Sequence, residues 1–184
     1  MIDFSWRPPV DQRLPANAPF FYALSKVRSA LDLAKCAQQF QLEVAKRYTR
    51  GLLNGQPSPL ARSWCNLAVA DITEAAGCPI PRSIKGKYLN ANEQFDWLVI
   101  AGATEGWERV SLERAITEVE RGLIVVPAWK NPDPKESGHI AVGQPAPHRP
   151  DGQLWIAQAG YRNFTCGTLG SGFGRKAPTI WLHA

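Results

Sequence analysis

The chain has 184 residues, 45% apolar and 20% charged, the balance of a globular domain able to bury a core rather than of a disordered chain. No run of about 18 apolar residues occurs, so no membrane-spanning helix is expected, and the opening "MIDFSWRPPVDQRLP" lacks the charged and apolar regions of a Sec leader. A net charge of +5 favours anionic partners, but the lysines and arginines are scattered without a basic block or a nucleic-acid motif, which argues against nucleic acid.

Residues 1–19 are rich in proline and read as extended surface chain. From Phe20 to Arg50 the apolar residues recur near the helical period, first Leu24, Val27, Leu31 and Ala34, then Phe40, Val44, Ala45 and Tyr48, and predict helix. The Gly, Asn and Pro content of residues 51–59 predicts a loop. Cys65 to Ala76 reads as a helix through Ala68, Val69, Ile72, Ala75 and Ala76, with Ser63 as N-cap, Gly77 at its end, and Pro79 and Pro81 blocking continuation. Residues 90–102 predict a further helix capped by Asn90 or Asn92. Ser111 opens another, with Leu112, Ala115, Ile116 and Val119 on one face and Gly122 at its end.

After Gly122 the pattern changes to short β-rich runs, and strands are predicted over 123–129, 139–143, 153–160 and 179–183. Helices first and strands second, with turn-length links between the strands, make an α+β domain with a mostly antiparallel sheet. Residues 1–184 read as one domain, in which 1–59 form an N-terminal helical extension packed on a core of 60–184. No repeat and no heptad seam is visible, and a monomer is expected.

Four cysteines, Cys36, Cys65, Cys78 and Cys166, are widely spaced without a CxxC pair, which argues against a zinc ribbon. Cys36, Cys78 and Cys166 read as structural, with one disulfide among them left open. Cys65 is placed differently. At a helix start it meets unpaired N–H groups and the positive end of the macrodipole, which favour thiolate over thiol and give an oxyanion a place to sit. The bland alternative is a small buried hydrophobe.

His139 follows Gly138 at the start of a strand, a rigid mount for a group that can act as base and acid near neutral pH. Gln158, on the next strand, has a side-chain oxygen able to accept from the far imidazole N–H and orient the ring; strand alternation equally allows it to face outward. His148 and Asn163 are the other candidates for that third position. Trp64 and Asn66, on either side of Cys65, are the candidate substrate-binding residues. Asp71 and Glu74 lie one helical turn apart and read as a solvated polar face. Residues 169–176, "LGSGFGRK", lack the order of a P-loop and read as a flexible loop rimming a cleft.

Three segments taken in order, "WCNLAVADITEAAGCPIPR", "SGHIAV" and "IAQAGYRNF", resemble the papain-like NlpC-type cysteine peptidases, in the variant shared by phage-associated cell-wall hydrolases and type VI secretion amidase effectors. The resemblance covers residues 60–184. It implies a papain-like α+β fold, no metal or cofactor, and hydrolysis of an amide in the peptide stem or cross-link of peptidoglycan. Cys65 would be nucleophile, His139 base and Gln158 third member. The chain departs from the commonest pattern in having Asn66 where many members have serine, and Gln158 where many have histidine. The expectation is an antibacterial type VI effector, made in the cytoplasm without a Sec signal, acting in the periplasm or wall of a target cell, and matched by a cognate immunity protein in its producer. A phage endolysin of the same chemistry, a papain-like hydrolase or deamidase of a protein substrate, and a non-catalytic binding module are the alternatives.

Overall fold

The computed structural model describes residues 29–53, 56–57, 64–146 and 152–183. Helix α1 (Ala30–Gln38) starts at Ser29, whose hydroxyl accepts from the Asp32 N–H. The helix expected over residues 20–50 is confined to this stretch among the described residues. Phe40 and Leu42 both enter the core, and two residues apart they cannot share a helix face. Gln41 turns the chain with φ of 47°, Val44 is left in solvent, and only a single 3₁₀ turn (Lys46–Tyr48) follows. The predicted loop after it holds a small hairpin, β1 (Leu52–Leu53) with β2 (Gln56–Pro57).

Helix α2 (Cys65–Ala75) ends as its sequence predicts. Gly77 takes φ of 79°, its N–H bonds the Glu74 carbonyl, and the Cys78 N–H bonds the Thr73 carbonyl, a Schellman pair. At the other end Trp64, not Ser63, holds the N-cap position; Ser63 itself lies outside the described residues. A two-residue turn, Lys85 and Gly86, both at positive φ, joins β3 (Ser83–Ile84) to β4 (Lys87–Tyr88). Helix α3 (Ala91–Ile100) is capped by Asn90 in a reciprocal box with Glu93, and a 3₁₀ turn (Gly102–Glu105) leads into β5 (Trp107–Val110), a strand its polar residues concealed. Ser111 caps α4 (Leu112–Glu120), and Gly122 at φ of 87° ends it.

The remaining strands are β6 (Ile124–Trp129), β7 (His139–Ile140), β8 (Val142–Gln144), β9 (Trp155–Gln158), β10 (Phe164–Thr168) and β11 (Thr179–His183), with the short helix α5 (Leu169–Phe173) before the last. All pairings are antiparallel. One sheet runs β5-β11-β6-β7 and the other β10-β9-β8. The single strand predicted at 139–143 is therefore divided: β7 belongs to the first sheet, β8 to the second, and between them the Ala141 N–H bonds the Pro127 carbonyl of β6. The protein is thus a mixed α+β fold of helices and small antiparallel sheets. Among the described residues no helix is long and apolar enough to cross a membrane.

One core joins all of this. Leu33, Phe40, Leu42 and Tyr48 from the N-terminal part share it with Cys65, Ile72, Val126, Ile140 and Ile156. Asp71 corrects the sequence reading. It is fully buried instead of lying on a solvated face, because α2 is covered on nearly every side. Its carboxylate accepts from Arg47 Nε at 2.7 Å, from the Tyr48 hydroxyl at 2.6 Å and from Arg82, while Arg82 also reaches Glu74 at 2.9 Å. A carboxylate so deep is tolerated only when its lone pairs are taken by charged or polar donors. The network ties the N-terminal segment and the β3 approach to the central helix.

Candidate active site

Cys65 is the first residue of α2 and is buried, 1% exposed. The tryptophan before it contributes no side-chain cap to the first turn, since an indole has only a donor. Trp64 uses that donor on the Thr49 carbonyl at 3.1 Å, and its ring is half-buried. Asn66 turns its amide to the Leu89 carbonyl at 2.7 Å, and its own carbonyl accepts from Gln94. Its side chain therefore holds α2 to the approach of α3.

His139 opens β7, its Cα paired with Trp129 at the end of β6. The position needs a glycine before it: a Cβ at Gly138 would lie 2.3 Å from the Trp129 carbonyl oxygen and 2.5 Å from Asn92 Oδ1. Asn92, one of the two cap candidates, is instead a buried clamp on α3. Its oxygen accepts from the Asn131 N–H and its amide donates to the Glu136 carbonyl, both at 2.9 Å, which fixes the loop that delivers His139.

Gln158 ends β9 and is 3% exposed, so its amide has to be satisfied inside the protein. Its Nε2 donates to the Arg162 carbonyl at 2.9 Å, and this assigns the amide's orientation: the oxygen is the atom presented to His139, at 2.6 Å from Nε2. The imidazole then donates through Nε2 and has Nδ1 left for Cys65, to which it is also hydrogen-bonded. Burial pushes the His139 pKa down. The hydrogen bond and charge of Cys65, joined by the hydrogen bond to Gln158, outweigh it and leave the ring easier to protonate than a free histidine, against the opposing charge of Lys176. The structure thus brings Cys65, His139 and Gln158 into one line of hydrogen bonds.

The other two candidates for the third position do not take it. Asn163 spends its amide on the Leu42 and Tyr48 carbonyls, both at 2.9 Å, and His148 lies outside the described residues. The remaining cysteines differ from Cys65. None of the four is in a disulfide, Cys166 is exposed, and burial pushes the Cys36 thiol up to about 12, where it is inert at neutral pH.

The glycine-rich run 169–176, expected as a flexible loop, instead holds a short helix: α5 covers the polar pair, with the buried Phe173 ring set edge-on to His139 at 4.7 Å between centroids. Gly172 makes the approach feasible, since a Cβ there would lie 2.6 Å from Gln158 Oε1. The signal was present as a single aromatic among glycines, with Thr168 as its N-cap. Lys176, just beyond, sets its ammonium over the Trp129 ring at 5.0 Å. Among the described residues no group of three or more His, Cys, Asp and Glu side chains is gathered that could hold a metal ion.

Compared with known proteins, the chain matches no family profile and no curated protein.

Proposed function

We propose that the protein is a cysteine-dependent amide hydrolase of papain-like NlpC type, acting on the peptide stem or cross-link of peptidoglycan. The observation that carries the chemistry is the Gln158–His139 hydrogen bond of 2.6 Å on a ring whose protonated form is favoured by Cys65. A ring so held is both oriented and ready to give a proton.

In this reading the Cys65 thiolate attacks the amide carbon and a C–S bond forms. The oxyanion is met by backbone N–H groups at the first turn of α2, among them that of Cys65. As the C–N bond breaks, His139 passes its proton to the leaving amine. A water then gives a proton to His139 while its oxygen bonds the acyl carbon; the C–S bond breaks and the thiolate–imidazolium pair is restored. Gln158 touches no reacting atom and serves as a positioning residue. Trp64 beside the nucleophile is the substrate-facing ring.

The wall as substrate, and within it an antibacterial type VI effector with a cognate immunity protein rather than a phage endolysin, rests on the resemblance of the three segments around Cys65, His139 and Gln158. The net charge of +5 agrees with an anionic polymer. The test is digestion of purified Gram-negative sacculi with mass spectrometry of the released fragments, wild type beside Cys65→Ala and His139→Ala. Release by wild type alone supports the reading, and the fragment masses name the bond. No release by folded, reduced wild type rejects the wall as substrate.

A further inference from the structure

Lys176 plays no part in the chemistry described above, yet it stands at the edge of the site. Three observations place it there. Its ammonium sits over the Trp129 ring at 5.0 Å, a seat that holds a flexible side chain in one direction. Trp129 is the cross-strand partner of His139, so the seat lies one strand spacing from the imidazole's own backbone. Lys176 also follows α5, whose Phe173 packs on the His139 ring, and its N–H bonds the Phe173 carbonyl. The ammonium is exposed, and among the described residues no carboxylate pairs with it.

The two nearest comparisons behave differently. Lys130 and Lys87, also exposed, are neutralised by Asp96 and Glu93 at 2.6 Å. The charge of Lys176 makes the protonated form of His139 less favourable. A substrate carboxylate beside the ammonium offsets that charge.

We propose that Lys176, held on Trp129, is a specificity-determining residue that receives a carboxylate of the substrate next to the scissile amide. This rests on the reading of Cys65 and His139 as the reacting pair. It deepens that reading by restricting the substrate to amides carrying a free carboxylate within reach of the bond. An amidated stem peptide would then be a poor substrate.

The test needs no wall substrate. Cys65 is alkylated with iodoacetate and, separately, with iodoacetamide, and the rate at Cys65 is read by peptide mass spectrometry, which separates it from the exposed Cys166. Both reagents lose iodide to the same thiolate, so their ratio at one pH cancels any change in the thiolate population. Lys176→Gln is expected to lower the iodoacetate-to-iodoacetamide ratio about fivefold, the effect of one pair of unit charges about 4 Å apart in water. Lys176→Arg is expected to keep the ratio, and Lys130→Gln to leave it unchanged. A ratio that is the same in wild type and Lys176→Gln overturns the proposal, as does failure of both reagents to reach Cys65. If the ratio falls as expected while sacculi stay intact, the carboxylate site stands and the wall is the wrong source of the carboxylate.

Discussion

Removing the acceptor that orients His139 gives a number that follows from the structure. Gln158→Ala deletes a hydrogen bond of 2.6 Å, charge-assisted whenever the ring carries its proton. Bonds of that class contribute about 1.5–3 kcal/mol. If the bond acts fully in the transition state, kcat/KM falls by about 10- to 150-fold. The pH dependence has a definite sign. Gln158 is one of the groups that raise the His139 pKa, so its loss makes the imidazolium give up its proton at lower pH. Activity that needs His139 protonated is present below that pKa and lost above it; the alkaline limb of the profile therefore moves toward acid. The assay is the initial rate across pH on whichever fragment-releasing substrate the sacculus digestion identifies, with a thermal melt to show that the variant is folded. A folded Gln158→Ala whose rate stays within about twofold of wild type, with its alkaline limb unmoved, refutes the role assigned to Gln158.

The other predictions are narrower. Gly172→Ala puts a methyl 2.6 Å from Gln158 Oε1, so it is expected to cost about 1–3 kcal/mol in stability by chemical denaturation. It should also reproduce the rate loss of Gln158→Ala and add little to it in the double variant, whereas full additivity would show that it acts elsewhere. Asp71→Ala leaves Arg47, Arg82 and the Tyr48 hydroxyl facing an empty carboxylate site and is expected to destabilise the fold by about 3–5 kcal/mol in a urea titration. A loss below about 1 kcal/mol would mean that the network is solvated in solution. At pH 8 iodoacetamide is expected to label Cys166 and spare Cys36, whose thiol ionises only near 12. Rapid labelling of Cys36 in folded protein would contradict its burial.

How much the sequence disclosed depends on whether local chemistry was enough. Cys65 and His139 were legible because each stands at the start of an element with its own signals, a helix ending at Gly77 and a strand behind Gly138. Gln158 was legible only as one of two faces of a strand; the choice was made by the Arg162 carbonyl, which no periodicity predicts. The helix expected to continue to Arg50 failed because Phe40 and Leu42 are both needed inside, a tertiary demand that overrides a stripe of otherwise helical spacing. Asp71 was misplaced for a related reason: apolar periodicity assigns a polar face to solvent, and α2 has almost none. The pairing of β5 with β11, distant in sequence, left no trace in the polar pattern of "WERV".

The division of β7 from β8 at Ala141 explains why the site lies where it does. His139 is fixed in the sheet of β6 and β11, while Gln158 is fixed in the sheet of β8 and β9. Their hydrogen bond therefore crosses from one sheet to the other, and α2, which packs on β7, β8 and β9, brings Cys65 to the same seam. The seam is narrow because Gly143 has no side chain: a Cβ there would lie 3.0 Å from Val125 Cβ and 3.2 Å from its carbonyl oxygen. A bond of 2.6 Å between two separately anchored strands tolerates little sliding, so the spacing of the sheets is itself part of the orientation of His139. Cores are close-packed and transmit small displacements. The glycines at 138, 143 and 172 each stand where a Cβ would come within 3.0 Å of a neighbouring atom, and at Gly172 that atom is Gln158 Oε1 itself. That is a physical reason for a glycine-rich C-terminal half in a site built on side-chain hydrogen bonds.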